Sequence, residues 1–169
     1  MHSLACHPQS APGAVRSLQA GVERQQGGLS LKFVLRGDLE RLRIPAPRPP
    51  RSVHGLWQHT CCEIFVAANG APAYHEFNLS PSGEWAAHAF ARYREGAMLG
   101  APELDPRIAV RRGPGKLELD ALITVEGRSL LVGLAAVVEA ADGSLSYWAL
   151  RHPPGPPDFH HRDGFALEL

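Results

Sequence analysis

Ten consecutive residues, LWQHTCCEIF at 56–65, bring together Trp57, His59, Cys61, Cys62 and Glu63. These side chain types bind metals, attack carbonyls or stack on flat apolar faces. In an extended strand neighbours point to opposite sides, so Cys62, Ile64 and Val66 share one face and Cys61, Glu63 and Phe65 share the other. The two sulfurs therefore diverge. With no CxxC pair and only three cysteines in the chain, neither a disulfide framework nor a zinc site is predicted. Cys61 and Cys62 read as small buried hydrophobes. Glu63 is the anomaly: a carboxyl between apolar neighbours must meet solvent, a buried partner or a ligand.

A second segment, AYHEFNLS at 73–80, repeats the anomaly. Tyr74, Glu76 and Asn78 fall on one face and His75, Phe77 and Leu79 on the other. If the two strands pair, Glu63, Glu76 and Asn78 line one surface; alternation leaves a solvated outer face and a ligand face equally open. HEFNL is not a zinc HExxH, because Leu79 stands at the second histidine position. Trp57, Trp85 and Trp148 are flat surfaces suited to sugar rings. Tryptophan is more often core, and Trp57 has the strongest functional case because it sits where a loop meets a strand. The nine histidines, with HHRD at 160–163, raise a metal reading, but a loop of exposed or packing histidines suits them better. Asp158 and Asp163 are expected to cap turns or pair with Arg151 or Arg162. No GxSxG, P-loop or GxGxxG is present.

The elements that must position these residues are short strands separated by turns. LSLKFVL (29–35) alternates cleanly and forms a hairpin with 14–24 across Gly27-Gly28. CCEIFVAA (61–68), AYHEFNLS (73–80) and EWAAHAFARY (84–93) have meander spacing. Met98 is placed in a loop, REGAMLGAP. RIAVRR (107–112) pairs with KLELDALITV (116–125), LLVGLAAVVEA (130–140) with LSYWALRH (145–152), and FALEL (165–169) closes the chain. A short helix near 128–138 is the one alternative. Two proline-rich segments, 36–55 and 153–164, cannot enter a regular ladder and are long loops. The fold class is all-β, an antiparallel β-sandwich with little helix, as a single domain over 1–169.

Composition narrows the function. The 169 residues carry zero formal net charge, against a nucleic-acid partner bound through a basic patch. No apolar run approaches the roughly 20 residues of a membrane span, and the N-terminus has no secretory pattern. Three cysteines suit a reducing cytoplasm.

The stretch LWQHTCCEIFVAANGAPAYHEFNLSPSGEWAAHAF, with the ending YWALRHPPGPPDFHHRDGFALEL, resembles DOMON-like domains related to family 9 carbohydrate-binding modules. It matches their tryptophan before a CxEIF-type strand, their YxEFNxSPSGxW strand–turn–strand, and their His/Pro loop before a last FALxL strand. The resemblance implies a sandwich that binds a small ligand, a sugar or a haem, without catalysis. Carried over position by position, Trp57, Glu63, Glu76 and Asn78 belong near the ligand face, with Trp85, Arg151 and His152 secondary. The leading expectation is a cytoplasmic, non-catalytic binder of a carbohydrate or sugar-containing metabolite, with no resident cofactor. The alternative is a haem or metal redox module using His152, His160 or His161 with Met98. A third, an enzyme with Glu63 and Glu76 as acid and base, needs both carboxyls in one cleft.

Overall fold

The computed structural model describes residues 1–100 and 104–169. Its strands are β1 (His2–Ser3), β2 (Ala5–Cys6), β3 (Val15–Gln25), β4 (Gly28–Gly37), β5 (Cys61–Ala68), β6 (Tyr74–Leu79), β7 (Trp85–Arg92), β8 (Glu95–Met98), β9 (Arg107–Gly113), β10 (Lys116–Thr124), β11 (Leu130–Glu139), β12 (Leu145–Ala149) and β13 (Leu167–Glu168). Short 3-10 turns stand between them at Leu39–Arg41, Leu56–Gln58 and Arg162–Gly164.

Two antiparallel sheets face each other. The first runs β1-β3-β4-β10-β9; the second runs β2-β12-β11-β5-β6-β7-β8, with β13 also paired to β11. Alternation builds the interior between them. Leu29, Leu31, Phe33 and Leu35 of β4 and Leu117, Leu119, Ala121 and Ile123 of β10 meet Ile64, Val66, Phe77, Leu79, Val132, Leu134 and Trp148 of the second sheet. Each fully buried Leu, Ile or Phe contributes about 1.5–3 kcal/mol of apolar transfer, which makes this layer the main source of stability. The β3–β4 hairpin turns at Gly27, whose φ of 80° is a left-handed conformation that glycine adopts without steric cost.

The sequence expectations meet this fold with two corrections. The alternative of a short helix near 128–138 is overturned: Leu130–Glu139 is a strand. Nearly all its residues are buried because both faces of β11 are covered, so its apolar run loses the alternation that marks a half-exposed strand. Met98 ends strand β8 rather than lying in a loop, because Glu95–Met98 pairs back on β7 through Phe90↔Gly96 and His88↔Met98. Residues 101 and 102 of that expected loop lie outside the described residues.

Candidate functional site

The second sheet turns its other face away from the core, and that face carries the polar residues. Register places Glu63 opposite Asn78 and Phe65 opposite Glu76 across β5–β6. Glu76 faces His88, Asn78 faces Ala86 and Tyr74 faces Phe90 across β6–β7. On the other side of Glu63 stands Ala135 of β11, itself opposite Ala149 of β12. Small residues at 86, 135 and 149 flank the polar row, so the sheet surface is low there.

Both proline-rich loops fold over this face, each resting on its own apolar cluster. The first is tied to β7 by backbone bonds, Val53 N donating to Trp85 O (2.8 Å) and Trp85 N to Arg51 O (3.0 Å). Leu56 then sinks with Val53 onto Cys61, Ala86 and Met98. Downstream, His59 Nδ1 meets Glu139 Oε2 at 2.8 Å, and Arg43 donates to Glu139 Oε1 at 2.8 Å. Held on both sides, the turn presents Trp57 to the cleft, its ring edge-on to His54 with centroids 4.9 Å apart. The second loop rests on Phe65, Tyr74, Ala135, Ala149 and Phe165, with Phe90, Leu131 and Phe159 packed at the margin. Tyr74 stacks on Phe90 with rings 7° from parallel and centroids 4.7 Å apart. Gly133 allows this seating: any Cβ there would meet Phe165 Cδ1 at 3.1 Å and Gly164 O at 3.2 Å.

Between the loops lies a cleft of about 580 Å³, within the usual range for small-molecule sites. Trp57, Phe90, Tyr147 and Phe159 supply aromatic surface, and Glu63, Glu76, His54, His88, His160 and Arg94 supply polar groups. Asn78 Nδ2 donates to Glu76 Oε1 at 2.7 Å. Glu63 is 3% exposed, and its Oε1 is buried without a partner. Burial, and then the neighbouring Glu76, push its carboxyl well above the ordinary range. Burial also raises Glu76, against the opposing pull of Asn78 and Arg94. His88 Nδ1 is likewise buried without a partner, and burial lowers its pKa, as does nearby His54.

His160 links the second loop to the floor. Its Nδ1 lies 2.9 Å from Tyr74 Oη, and its Nε2 lies 3.8 Å from Glu76 Oε2. Burial first, then Arg94, lower it to about 4, so the ring is neutral near pH 7. Arg94 has φ 57°, unusual for a residue with a side chain; its backbone N donates to Tyr74 Oη at 3.0 Å. Its guanidinium donates to Asp158 Oδ1 at 2.9 Å, while Tyr93 Oη donates to Asp158 Oδ2 at 2.6 Å. Asp158 caps the turn by accepting from His160 N at 3.1 Å. The expected cap is present, but its cation is Arg94, not Arg151 or Arg162.

Of the residues singled out from sequence, the fold brings Trp57, Glu63 and Glu76 together in the cleft, with Asn78 directly beneath, fully buried and bonded to Glu76. Three lie elsewhere. Trp85 belongs to the core between the sheets, because Leu79↔Trp85 pairing puts its ring on the Leu79 side of the sheet. Arg151 is exposed beyond the end of β12, outside the cleft lining. His152 bonds through Nε2 to Ala5 O at 2.8 Å and packs against His7, so it too points away. Sequence reasoning missed His54, His88, Phe90, Arg94, Tyr147 and Phe159 as cleft residues, and named His160 and Met98 only as ligands of a haem or metal. Alternation along β7 carried a signal for His88 and Phe90, which share Ala86's face. Arg94 and the loop aromatics carried none, since only tertiary contacts aim them.

The fold is shared with sugar-binding modules. No protein-family model and no curated protein matches the sequence. Among solved structures, a Bacteroides uniformis protein described as a candidate carbohydrate-binding protein superposes with a TM-score of 0.70 at 16% identity, covering 96% of this chain and 82% of that one. A family 9 carbohydrate-binding module from Caldicellulosiruptor kristjanssonii in complex with glucose superposes at 0.52 and 10% identity, covering 90% and 76%. The same organism's family 9 module with cellotriose gives 0.52 and 10%, covering 82% and 67%. The fold is family 9 module-like. This agrees with the antiparallel sandwich and with the family 9 side of the sequence resemblance.

A haem is the other group the resemblance implied, and the residues do not fit it. His160 shares the cleft with Met98, but both its ring nitrogens already face Tyr74 and Glu76. His152 and His161 are not among the cleft-lining residues. Among the described residues no group of three or more His, Cys, Asp or Glu side chains is arranged to hold a metal ion.

Proposed function

We propose that this chain is a non-catalytic carbohydrate-binding domain whose ligand sits on the outer face of the second sheet, between the two proline-rich loops. The observation that carries this reading is Glu63: a buried carboxyl with an unpartnered oxygen on the floor of an aromatic-lined cleft. A buried acceptor left unsatisfied costs about 1–3 kcal/mol, which a ligand hydroxyl recovers by donating to it. Trp57 offers its face to the apolar side of the ring. Glu63 and Glu76 take the hydroxyls, with Asn78 fixing the rotamer of Glu76. The printed ligands of the two family 9 structures, glucose and cellotriose, support this ligand class.

The likeness in fold to carbohydrate-binding modules favours binding over hydrolysis as the reading of this cleft. The free thiols of Cys6, Cys61 and Cys62 are compatible with a cytoplasmic location; cell fractionation that recovers the protein outside the cytoplasm would overturn that part.

Calorimetric titration with glucose, cellobiose and xylobiose tests the reading. Saturable heat with at least one of them, with affinity reduced about tenfold in Trp57→Ala, is the expected result. No heat from any sugar, or heat unchanged in Trp57→Ala, would overturn it.

A further inference from the structure

We propose that the cleft prefers a sugar bearing a primary amine, such as a 2-amino sugar, with its ammonium seated between Glu63 and Glu76, over the neutral sugar, and that it excludes anionic sugars. This rests on the sugar-binding reading above and specifies the class of sugar.

The floor holds acceptor atoms that no protein group engages. Glu63 Oε1 has no partner. Glu76 Oε1 accepts from Asn78, while Oε2 has only His160 Nε2 at 3.8 Å. His88 Nδ1 is buried and unpartnered, and is an acceptor in the tautomer that carries its proton on Nε2. Glu76 and His88 stand directly opposite each other on β6 and β7, and Glu63 is the diagonal neighbour of Glu76 on the same face. A hydroxyl brings one donor to such a group. An ammonium brings three, with a positive charge.

The charge balance points the same way. Among the described residues Arg94 is the one guanidinium lining the cleft, and its donors are engaged by Asp158 and Tyr93 at the rim. The floor itself carries two carboxyls, and burial lowers the pKa values of His88 and His160 beside them. Trp57, Phe90, Tyr147 and Phe159 present ring surface, which attracts a cation and does nothing for an anion. A uronate or sugar phosphate would add negative charge beside the buried carboxyl pair of Glu63 and Glu76.

The titratable groups that share the cleft with Glu63 are Glu76 from β6, His88 from β7, Arg94 from the β7–β8 turn, His54 from the first loop, Tyr147 from β12 and His160 from the closing loop, with Cys61 beside it on its own strand. Burial with Glu76 alongside makes the pair hold a proton at pH values where an exposed pair would have lost both. An ammonium between them takes that proton's place, so binding releases a proton to the buffer.

The test is calorimetry on the intact chain with glucose, glucosamine, N-acetylglucosamine and glucuronate, in two buffers of different ionisation enthalpy. Glucosamine is expected to bind at least tenfold more tightly than glucose, with buffer-dependent heat reporting proton release. N-acetylglucosamine, which keeps the skeleton without the charge, should fall back to the level of glucose or below, and glucuronate should not bind. Glu63→Gln and Glu76→Gln, checked for an intact melting transition, should each abolish the preference for glucosamine. If glucose binds and glucosamine binds no better, or if the preference survives both variants, the amine proposal is wrong and the sugar reading stands. If no sugar of the series binds, the sugar reading fails and the amine proposal with it.

Discussion

Replacing Glu63 by glutamine should make the protein more stable at neutral pH while weakening its site. Glu63 is almost fully buried on β5, and burial followed by the proximity of Glu76 raises its carboxyl well above the ordinary range. In the unfolded chain a glutamate titrates near about 4.3. A raised folded value means that, as pH climbs past the unfolded value, the unfolded chain sheds its proton first. The folded state then binds more protons than the unfolded one, so stability falls with rising pH until the folded value is passed. Glutamine keeps the shape of the protonated acid and does not titrate. Each tenfold difference in proton affinity between the folded and unfolded carboxyl is worth about 1.4 kcal/mol. About 1 kcal/mol moves the Tm of a domain of this size by roughly 2–4 °C. Glu63→Gln should therefore melt at least about 3 °C above wild type near pH 7.5, by the same estimate, with the gap closing toward pH 4. The readout is the difference between the two proteins in calorimetric scans at each pH, because other carboxylates act in the opposite sense. At Glu139 burial opposes ionisation, but hydrogen bonds from His59 and Arg43 outweigh it and hold the carboxyl low, so its contribution is lost as pH falls. A gap that does not depend on pH, or a variant less stable than wild type near pH 7.5, would refute the reasoning.

Three further outcomes follow from the same geometry. Trp57→Ala should weaken sugar binding about tenfold, since covering about 60 Å² of apolar ring face at about 25 cal/mol/Å² is worth about 1.5 kcal/mol; calorimetric Kd values check this. Asp158→Ala releases Tyr93, the Arg94 guanidinium and the His160 amide together, so hydrogen exchange in residues 157–163 should accelerate while β5 and β11 keep their protection. Gly133→Val forces a side chain against Phe165 and Gly164 O, and overpacking of this kind costs about 1–3 kcal/mol, read as a fall in Tm together with weakened binding.

Much of the sandwich was legible because its strands are half-buried. Leu29, Leu31, Phe33 and Leu35 alternate with Ser30, Lys32 and Val34, and period-two patterning of that kind has one structural solution. β11 was ambiguous for the opposite reason, with both faces covered. β1 and β2, two residues each, have no local signature; they are strands only because β3 and β12 offer them edges. At the site, Glu63, Glu76 and Asn78 were legible as polar residues breaking apolar strands. Trp85 was misplaced because its side of the sheet depends on pairing with Leu79, which a single strand does not reveal. His160 and Phe159 were visible as residues of a proline-rich loop, but their aim is set by Tyr74, Asp158 and Phe165 across the fold. The proline content announced two loops; it did not announce that both close over one face.

The central claim, that a carbohydrate occupies the cleft beneath Trp57, is tested most directly by the three tryptophan indole signals in a ¹⁵N-labelled NMR spectrum during sugar titration. Trp85 and Trp148 lie in the core on the opposite side of the sheet and serve as internal references. The account predicts that the Trp57 indole signal shifts and saturates with added sugar, joined by backbone amides around Glu63, Glu76 and His88, while the Trp85 and Trp148 indoles stay in place. Shifts confined to other regions, or no shift of the Trp57 indole with any sugar of the series, would contradict it.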